Sequence, residues 1–141
     1  MIRSIEHVSI RCRDMEASID FYRRMFGAEV LLRRRPGDGK RITYLKLGEG
    51  MLELMELGPA EEAPDPMSHY GVHHIGLKVD DLDTVYQDLK GKGADFLGEP
   101  FEPIPGIKLV FLREPNGAVI ELAQRDPRVF EEAFAQGTVD W

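Results

Sequence analysis

Two stretches of this chain echo one another. Ile5-Glu6-His7-Val8-Ser9-Ile10-Arg11-Cys12-Arg13-Asp14 returns as Val72-His73-His74-Ile75-Gly76-Leu77-Lys78-Val79-Asp80-Asp81, and the interval from His7 to His74 equals that from Asp14 to Asp81. Self-similarity at a fixed offset reports a duplicated supersecondary unit, and it constrains the fold more than any local pattern can. The echo continues downstream. Asp14 opens the run from Met15 to Gly27, and Asp81 opens the run from Leu82 to Gly93. Each half then closes on a short run carrying Glu-Leu, Met51-Leu52-Glu53-Leu54 and Val119-Ile120-Glu121-Leu122, with Glu53 and Glu121 separated by one position more than the histidines. One His and one Glu therefore recur in each half.

Local periodicities give each half the same element order. Residues 2–12 alternate, with Val8, Ile10 and Cys12 on one side and His7, Ser9 and Arg11 on the other, as a half-buried strand requires. Asp14 suits a helix N-cap, Glu16 the first turn, Arg23 and Arg24 the last turn and Gly27 the left-handed C-cap. Between them Met15, Ile19, Tyr22 and Phe26 recur at helical spacing. Strands are expected over 28–35, 41–47 and 51–57, with turns at 36–39 and 48–50, so the first module, 2–57, reads β-α-β-β-β. Residues 58–71, with Pro59, Pro64 and Pro66, form a linker that is mobile or draped over the surface. The second module, 72–123, repeats the order: a strand over 73–79, a helix over 82–92, and strands near 94–97, 107–113 and 118–123. Phe101 to Pro105 carries two prolines and reads as a loop, and a short C-terminal helix is expected over 126–137 with Val129, Phe130, Ala133 and Phe134 as its apolar stripe. At 141 residues these modules make one domain of ordinary size.

Composition excludes several function classes. The chain is 43% apolar and 30% charged, neither a disordered nor a membrane profile. No apolar run approaches the roughly 20 residues needed to span a bilayer, and no signal-like segment opens the chain, so a cytoplasmic location is expected. The lone Cys12 allows no internal disulfide and reads as a buried thiol. A net charge of -7 argues against nucleic acid as a partner, because phosphate binding needs clustered positive charge. Arg33-Arg34-Arg35, followed by Lys40 and Arg41, is a local basic island. It reads first as a solvated strand end and second as an anion clamp built from Arg33, Arg35 and Arg41.

Strand period assigns the recurring His and Glu to one face. The apolar side of each first strand must receive the helix, which leaves His7 and His74 on the helix-free side. Glu53 shares a side with Met51 and Met55, and Glu121 with Val119 and Ala123. A carboxylate in such company is expensive unless something positive neutralises it. Two imidazoles and two carboxylates form a nitrogen and oxygen donor set that suits Ni, Co, Zn, Mn or Fe as a divalent ion. A single strand His is more often structural than a ligand, but the same pair at matched places in a duplicated unit favours a metal site made by His7, Glu53, His74 and Glu121. His73 is expected to face the opposite side and to be structural. His69 and Tyr70 stay in the linker, Glu56 is on the wrong side of its strand to join Glu53, and Asp80 and Asp81 read as turn and capping residues.

These residues resemble the vicinal oxygen chelate superfamily, which includes glyoxalase I, methylmalonyl-CoA epimerase, extradiol dioxygenases, fosfomycin-resistance enzymes and bleomycin-resistance proteins. The likeness lies in His7-Val8-Ser9-Ile10, in Ser18-Ile19-Asp20-Phe21-Tyr22 through Phe26-Gly27-Ala28, in His74-Ile75-Gly76-Leu77-Lys78-Val79-Asp80-Asp81, and in Glu114-Pro115-Asn116-Gly117-Ala118-Val119-Ile120-Glu121-Leu122. It implies an α+β fold of two tandem βαβββ modules, the glyoxalase/bleomycin resistance/dioxygenase fold, forming a cupped mixed sheet. It also implies one divalent metal ion per site on His7, Glu53, His74 and Glu121, often within a homodimer.

The ligand set resembles that of bacterial glyoxalase I, a lactoylglutathione lyase, in which case Glu121 or Glu53 is the base that shuttles a proton while an enediolate forms. Arg33, Arg35 and Arg41 would then bind the carboxylates of a glutathione conjugate. The module spacing also resembles methylmalonyl-CoA epimerase, where the basic island would meet the phosphates of a CoA conjugate. An extradiol-type dioxygenase is a third reading, disfavoured by Glu53 as a fourth ligand. A metal-free drug-binding protein of the bleomycin-resistance kind is the reading from another class, and retention of all four candidate ligands weighs against it.

Overall fold

The computed structural model describes residues 1–136. The chain divides into two compact units, one comprising Met1–Gly71 with Glu114–Ala118, the other Val72–Arg113 with the chain from Val119 onward. The first unit contains β1 (His7–Arg11), α1 (Met15–Phe26), β2 (Glu29–Gly37), β3 (Lys40–Leu47) and β4 (Gly50–Glu56). Its sheet runs β1-β4-β3-β2, with β1 parallel to β4 and the other pairs antiparallel. The second unit contains β5 (Ile75–Lys78), α2 (Leu82–Gly91), β6 (Asp95–Phe96), β7 (Phe101–Ile104), β8 (Ile107–Arg113), β9 (Val119–Arg125) and α3 (Pro127–Gln136). Its sheet runs β5-β9-β8-β6, with β7 also paired to β8 and β5 parallel to β9. Both sheets are mixed and the fold is α+β, built from repeated modules.

The helices start where the aspartates are. The Asp14 carboxylate accepts from the Ala17 amide at 3.0 Å, and the Asp81 carboxylate from the Thr84 amide at 3.1 Å. These bonds satisfy donors that the first helical turn leaves without partners. Gly27 closes α1 at φ 67, the left-handed conformation a glycine takes without steric penalty. One face of α1 buries Met15, Ile19, Tyr22 and Met25, and the first sheet buries Ile10, Leu45, Leu52 and Leu54. In the second unit Leu82, Tyr86 and Leu89 of α2 are buried, as are Val110, Leu112, Ile120 and Leu122. The residues alternating with these on β1, β4, β5 and β9 form the helix-free faces, which carry the recurring His and Glu.

Three expectations change. Phe101 to Pro105 is not a plain loop: Phe101–Ile104 forms β7, pairing Phe101 with Leu109 and Ile104 with Ile107. A register shift between those pairs accommodates Pro103, which has no amide to give a ladder. The expected turn at 36–39 contracts to Asp38-Gly39, both at positive φ (54 and 72), and β2 runs on through Pro36 and Gly37. A two-residue turn with both centres left-handed matches strand twist, and Asp-Gly is suited to it. The strand expected over 73–79 shortens to Ile75–Lys78, so His73 and His74 precede the ladder.

The linker is draped. Arg11 donates to the carbonyls of Gly58 and Pro59, and Arg13 pairs with Glu62, tying the stretch to the end of β1. His69 is held locally through Nδ1 to the Asp65 carbonyl at 2.8 Å. In the C-terminal helix Val129 packs on Ile107, Leu109 and Ala123. The side chains of Phe130, Ala133 and Phe134, and residue 137, lie outside the described residues. No helix among the described residues is long and apolar enough to cross a membrane.

Candidate active site

In the second unit the parallel register sets Gly76 against Glu121, so the His that precedes the strand lies beside the carboxylate in the middle of β9. His74 Nε2 is 3.2 Å from Glu121 Oε2, and the Arg125 guanidinium is 3.3 Å from Oε1. Glu121 is only 5% exposed, and the Arg125 guanidinium supplies the positive charge its burial demands. Phe111 lies directly across the ladder from Glu121 and packs edge-on against the His74 ring at 5.3 Å. The carboxylate opens onto a hollow of about 340 Å3, also lined by Gly76, Lys78 and Arg125.

The first unit treats its carboxylate differently. Glu53 is 8% exposed and sits between Ser9 on β1 and Tyr44 on β3, its direct neighbours in the two ladders. Ser9 Oγ donates to Glu53 Oε1 at 2.7 Å. The Tyr44 hydroxyl opposite, then Ser9, then the charge of His7 hold the Glu53 carboxyl below the usual carboxylate range, against the upward push of burial. The His7 ring lies 6.2 Å edge-on from Tyr44, and its Nδ1 is 3.2 Å from Glu6 Oε1.

Each half thus sets its recurring His and Glu on one face, and in the second half they are in direct contact. Among the described residues no group of three or more His, Cys, Asp or Glu side chains is gathered so as to hold a metal ion. The donor chemistry of His7, Glu53, His74 and Glu121 nonetheless suits a divalent cation of the first transition row. Of the basic island, Arg33 is bound to Glu16 at 2.8 Å and Arg41 grips Glu56 through contacts at 2.7 and 2.8 Å. Arg35 lines a hollow at the β2–β3 turn with Lys40 and Arg41.

Sequence reasoning missed the residues that attend the two carboxylates. Ser9 and Tyr44 follow from sheet register, which strand order alone does not supply. Strand alternation puts His73 on the far side, but alternation applies only inside a ladder, and His73 Nδ1 lies 2.8 Å from His74 Nδ1. The expectation for Glu56 holds, with a role added: its Oε2 accepts from the Met15 amide at 2.6 Å, and Arg41 holds its carboxyl below the usual range.

Comparison with known proteins places the fold. Residues 4–122 match the model of the Glyoxalase/Bleomycin resistance protein/Dioxygenase superfamily. An ethylmalonyl-CoA/methylmalonyl-CoA epimerase of Cereibacter sphaeroides is 32% identical over 133 residues, covering 88% of this chain and 99% of that protein. A probable chloroplastic lactoylglutathione lyase of Arabidopsis thaliana is also 32% identical, over 89% of this chain but only 37% of that longer protein. Among solved structures, a glyoxalase family protein from Enterococcus faecalis superimposes with a TM-score of 0.75 at 27% identity, covering 86% of this chain and 98% of that one. With the order βαβββ in its first unit, the same order with one further strand in its second, and a match that spans both, the chain belongs to the Glyoxalase/Bleomycin resistance protein/Dioxygenase superfamily.

Proposed function

We propose that this protein is an enzyme that moves a proton at a carbon next to a carbonyl, with a divalent metal ion held by His7, Glu53, His74 and Glu121. The observation that carries the reading is the pair of buried carboxylates at matched positions of a duplicated chain, each accompanied on its own face by an imidazole. The ion would act as a Lewis acid, favouring the enolate or enediolate that proton removal creates. The protein supplies the base. Glu121 and Glu53 are the two candidates, and Glu121, which meets an apolar ring at Phe111 and opens onto a hollow, is the one tested first. Hydrogen bonds that hold a carboxylate ionised also weaken it as a base, and Glu53 has them from Ser9 and Tyr44 while Glu121 has one from Arg125.

Two substrates fit this chemistry. The lactoylglutathione lyase type, isomerising a glutathione hemithioacetal, is favoured by the retention of both carboxylates beside both imidazoles. Epimerisation of a methylmalonyl-CoA type thioester is favoured by the end-to-end match with a complete epimerase chain.

Metal-loaded protein incubated in heavy water, with hemithioacetal in one arm and methylmalonyl-CoA in another, tests the reading. Deuterium entering the α-carbon in either arm, and its loss in Glu121→Gln, is the expected result. No exchange in either arm would overturn both assignments.

A further inference from the structure

The two recurring carboxylates differ in what holds them. Glu53 is held by neutral donors, the hydroxyls of Tyr44 and Ser9. Glu121 has neither, because Gly76 stands in the place of Ser9 and Phe111 in the place of Tyr44. Its partner is a cation on its own strand: the Arg125 guanidinium reaches Oε1 at 3.3 Å, while Oε2 stands 3.2 Å from His74 Nε2.

That contact depends on two departures from the first half. Residues four apart on a strand are separated by about 13 Å, so Arg125 has to lie back along β9, across the position of Ala123, to touch Glu121. At the offset that separates Glu53 from Glu121, Met55 is matched by Ala123 and Leu57 by Arg125. The cation and the short side chain that makes room for it thus occur in the same copy. Both partners are shielded, with side-chain exposures of 34% for Arg125 and 7% for Glu121. Salt and water screen such a pair less than one on the open surface, so the guanidinium bears on whatever else Glu121 binds.

A metal ion held between His74 Nε2 and Glu121 would share its carboxylate with that guanidinium. Two positive groups on one carboxylate repel each other, and removing the guanidinium leaves a buried carboxylate without its counter-charge. Both effects run in one direction: the ion binds less tightly with Arg125 than without it. An ordinary supporting partner of a metal ligand has the opposite sign, since its loss weakens binding.

We propose that Arg125 competes with the divalent ion for Glu121, so that loading the second unit's half of the site exchanges a guanidinium for a metal ion. Arg125 acts on the ion only through Glu121, as a positioning residue and not a ligand. Glu53, whose partners are hydroxyls, has no guanidinium contact of this kind among the described residues. The inference rests on the four-ligand reading, and its test keeps the two apart.

The full chain, stripped of metal by a chelator and dialysed, is titrated calorimetrically with cobalt(II) at constant pH and ionic strength. Arg125→Gln should bind cobalt about tenfold tighter than wild type, the scale of one charge pair at a partly buried site. Arg125→Leu, which copies the residue of the first half, should do the same, and Arg125→Lys, which keeps the charge, should stay within about threefold of wild type. On a Glu121→Gln background, replacing Arg125 by Gln should change affinity less than about twofold, because the carboxylate that couples them is gone. Lys78 lines the same hollow opposite Ala123, and Lys78→Gln, which leaves the Arg125 contact in place, should have less than about a threefold effect. Equal or weaker binding in both Arg125→Gln and Arg125→Leu, a gain that survives on the Glu121→Gln background, or an equal gain in Lys78→Gln would each overturn the proposal. A wild-type chain that binds no cobalt would overturn the four-ligand reading along with it, whereas cobalt binding indifferent to residue 125 would overturn this inference alone.

Discussion

Glu56 and Gln124, at matching places in the two modules, do the same work in their separate units: each lays a side-chain oxygen on the first amide of its module's helix, Met15 at 2.6 Å and Leu82 at 2.8 Å. A strand that also carries the candidate carboxylate thus caps the helix packed in its own module. Gln124→Ala should cost about 1 kcal/mol, the usual scale for losing a helix cap. Glu56→Ala should cost more, because it also strips Arg41 of its carboxylate. Urea midpoints measure both, and a larger loss at Gln124 would contradict the assignment.

The charge on Glu56 gives that cap a pH dependence. Its carboxyl is held low first by the Arg41 hydrogen bonds and further by the Met15 amide, against burial. A depressed folded pKa means stabilisation that is fully present above the unfolded-chain value of about 4.3 and is lost as pH falls through the lower folded value. Glu56→Gln should therefore be less stable than wild type at neutral pH, with the difference closing as pH falls below about 4. Denaturant unfolding across that range reads it directly, and a difference that persisted unchanged at low pH would show that charge plays no part.

Much of this architecture is legible in the amino-acid sequence. The offset shared by His7, His74, Asp14 and Asp81 exposes the duplication, and the two aspartates do cap helices. Pairing of the Glu56 and Gln124 caps is hidden because the residue types differ and only the position repeats. Alternation places His7, Ser9, Glu53 and Glu121 on their faces, but it does not supply register, so the contact of Ser9 and Tyr44 with Glu53 stays out of sight. The place of His73 is lost for another reason, since the limit of β5 decides whether alternation applies. The arginine island is legible as charge and not as partners: whether an arginine is committed depends on acids such as Glu16 and Glu56 that helix and sheet packing bring to it.

The four-ligand proposal makes a direct demand on metal content. His7→Ala and His74→Ala should each reduce the metal carried by protein purified without chelator, measured by elemental analysis against a wild-type sample. Glu121→Gln should keep the fold while lowering turnover by at least about two orders of magnitude, the scale for loss of a general base. Full metal occupancy in either histidine variant would remove that residue from the set, and wild-type turnover in Glu121→Gln would remove its role.

His73 supplies the most discriminating of these tests, because its value depends on which nitrogen of His74 carries a proton. With His74 Nε2 directed at Glu121 and Nδ1 at 2.8 Å from His73 Nδ1, one of the two Nδ1 atoms must donate to the other. For Nε2 to offer its lone pair to a cation, the His74 proton has to sit on Nδ1, and His73 is then the acceptor that keeps it there. Partners of this kind fix the ring of a metal-binding histidine, and their loss typically weakens metal affinity about 10 to 100-fold. His73→Ala should show a loss of that size in competition with a metallochromic chelator, with little change in the urea midpoint, since His73 is exposed and precedes the strand. His73→Asn, whose side-chain oxygen can still accept, should recover part of the affinity. Wild-type affinity in His73→Ala would mean that the contact between the two Nδ1 atoms has no bearing on how His74 presents Nε2.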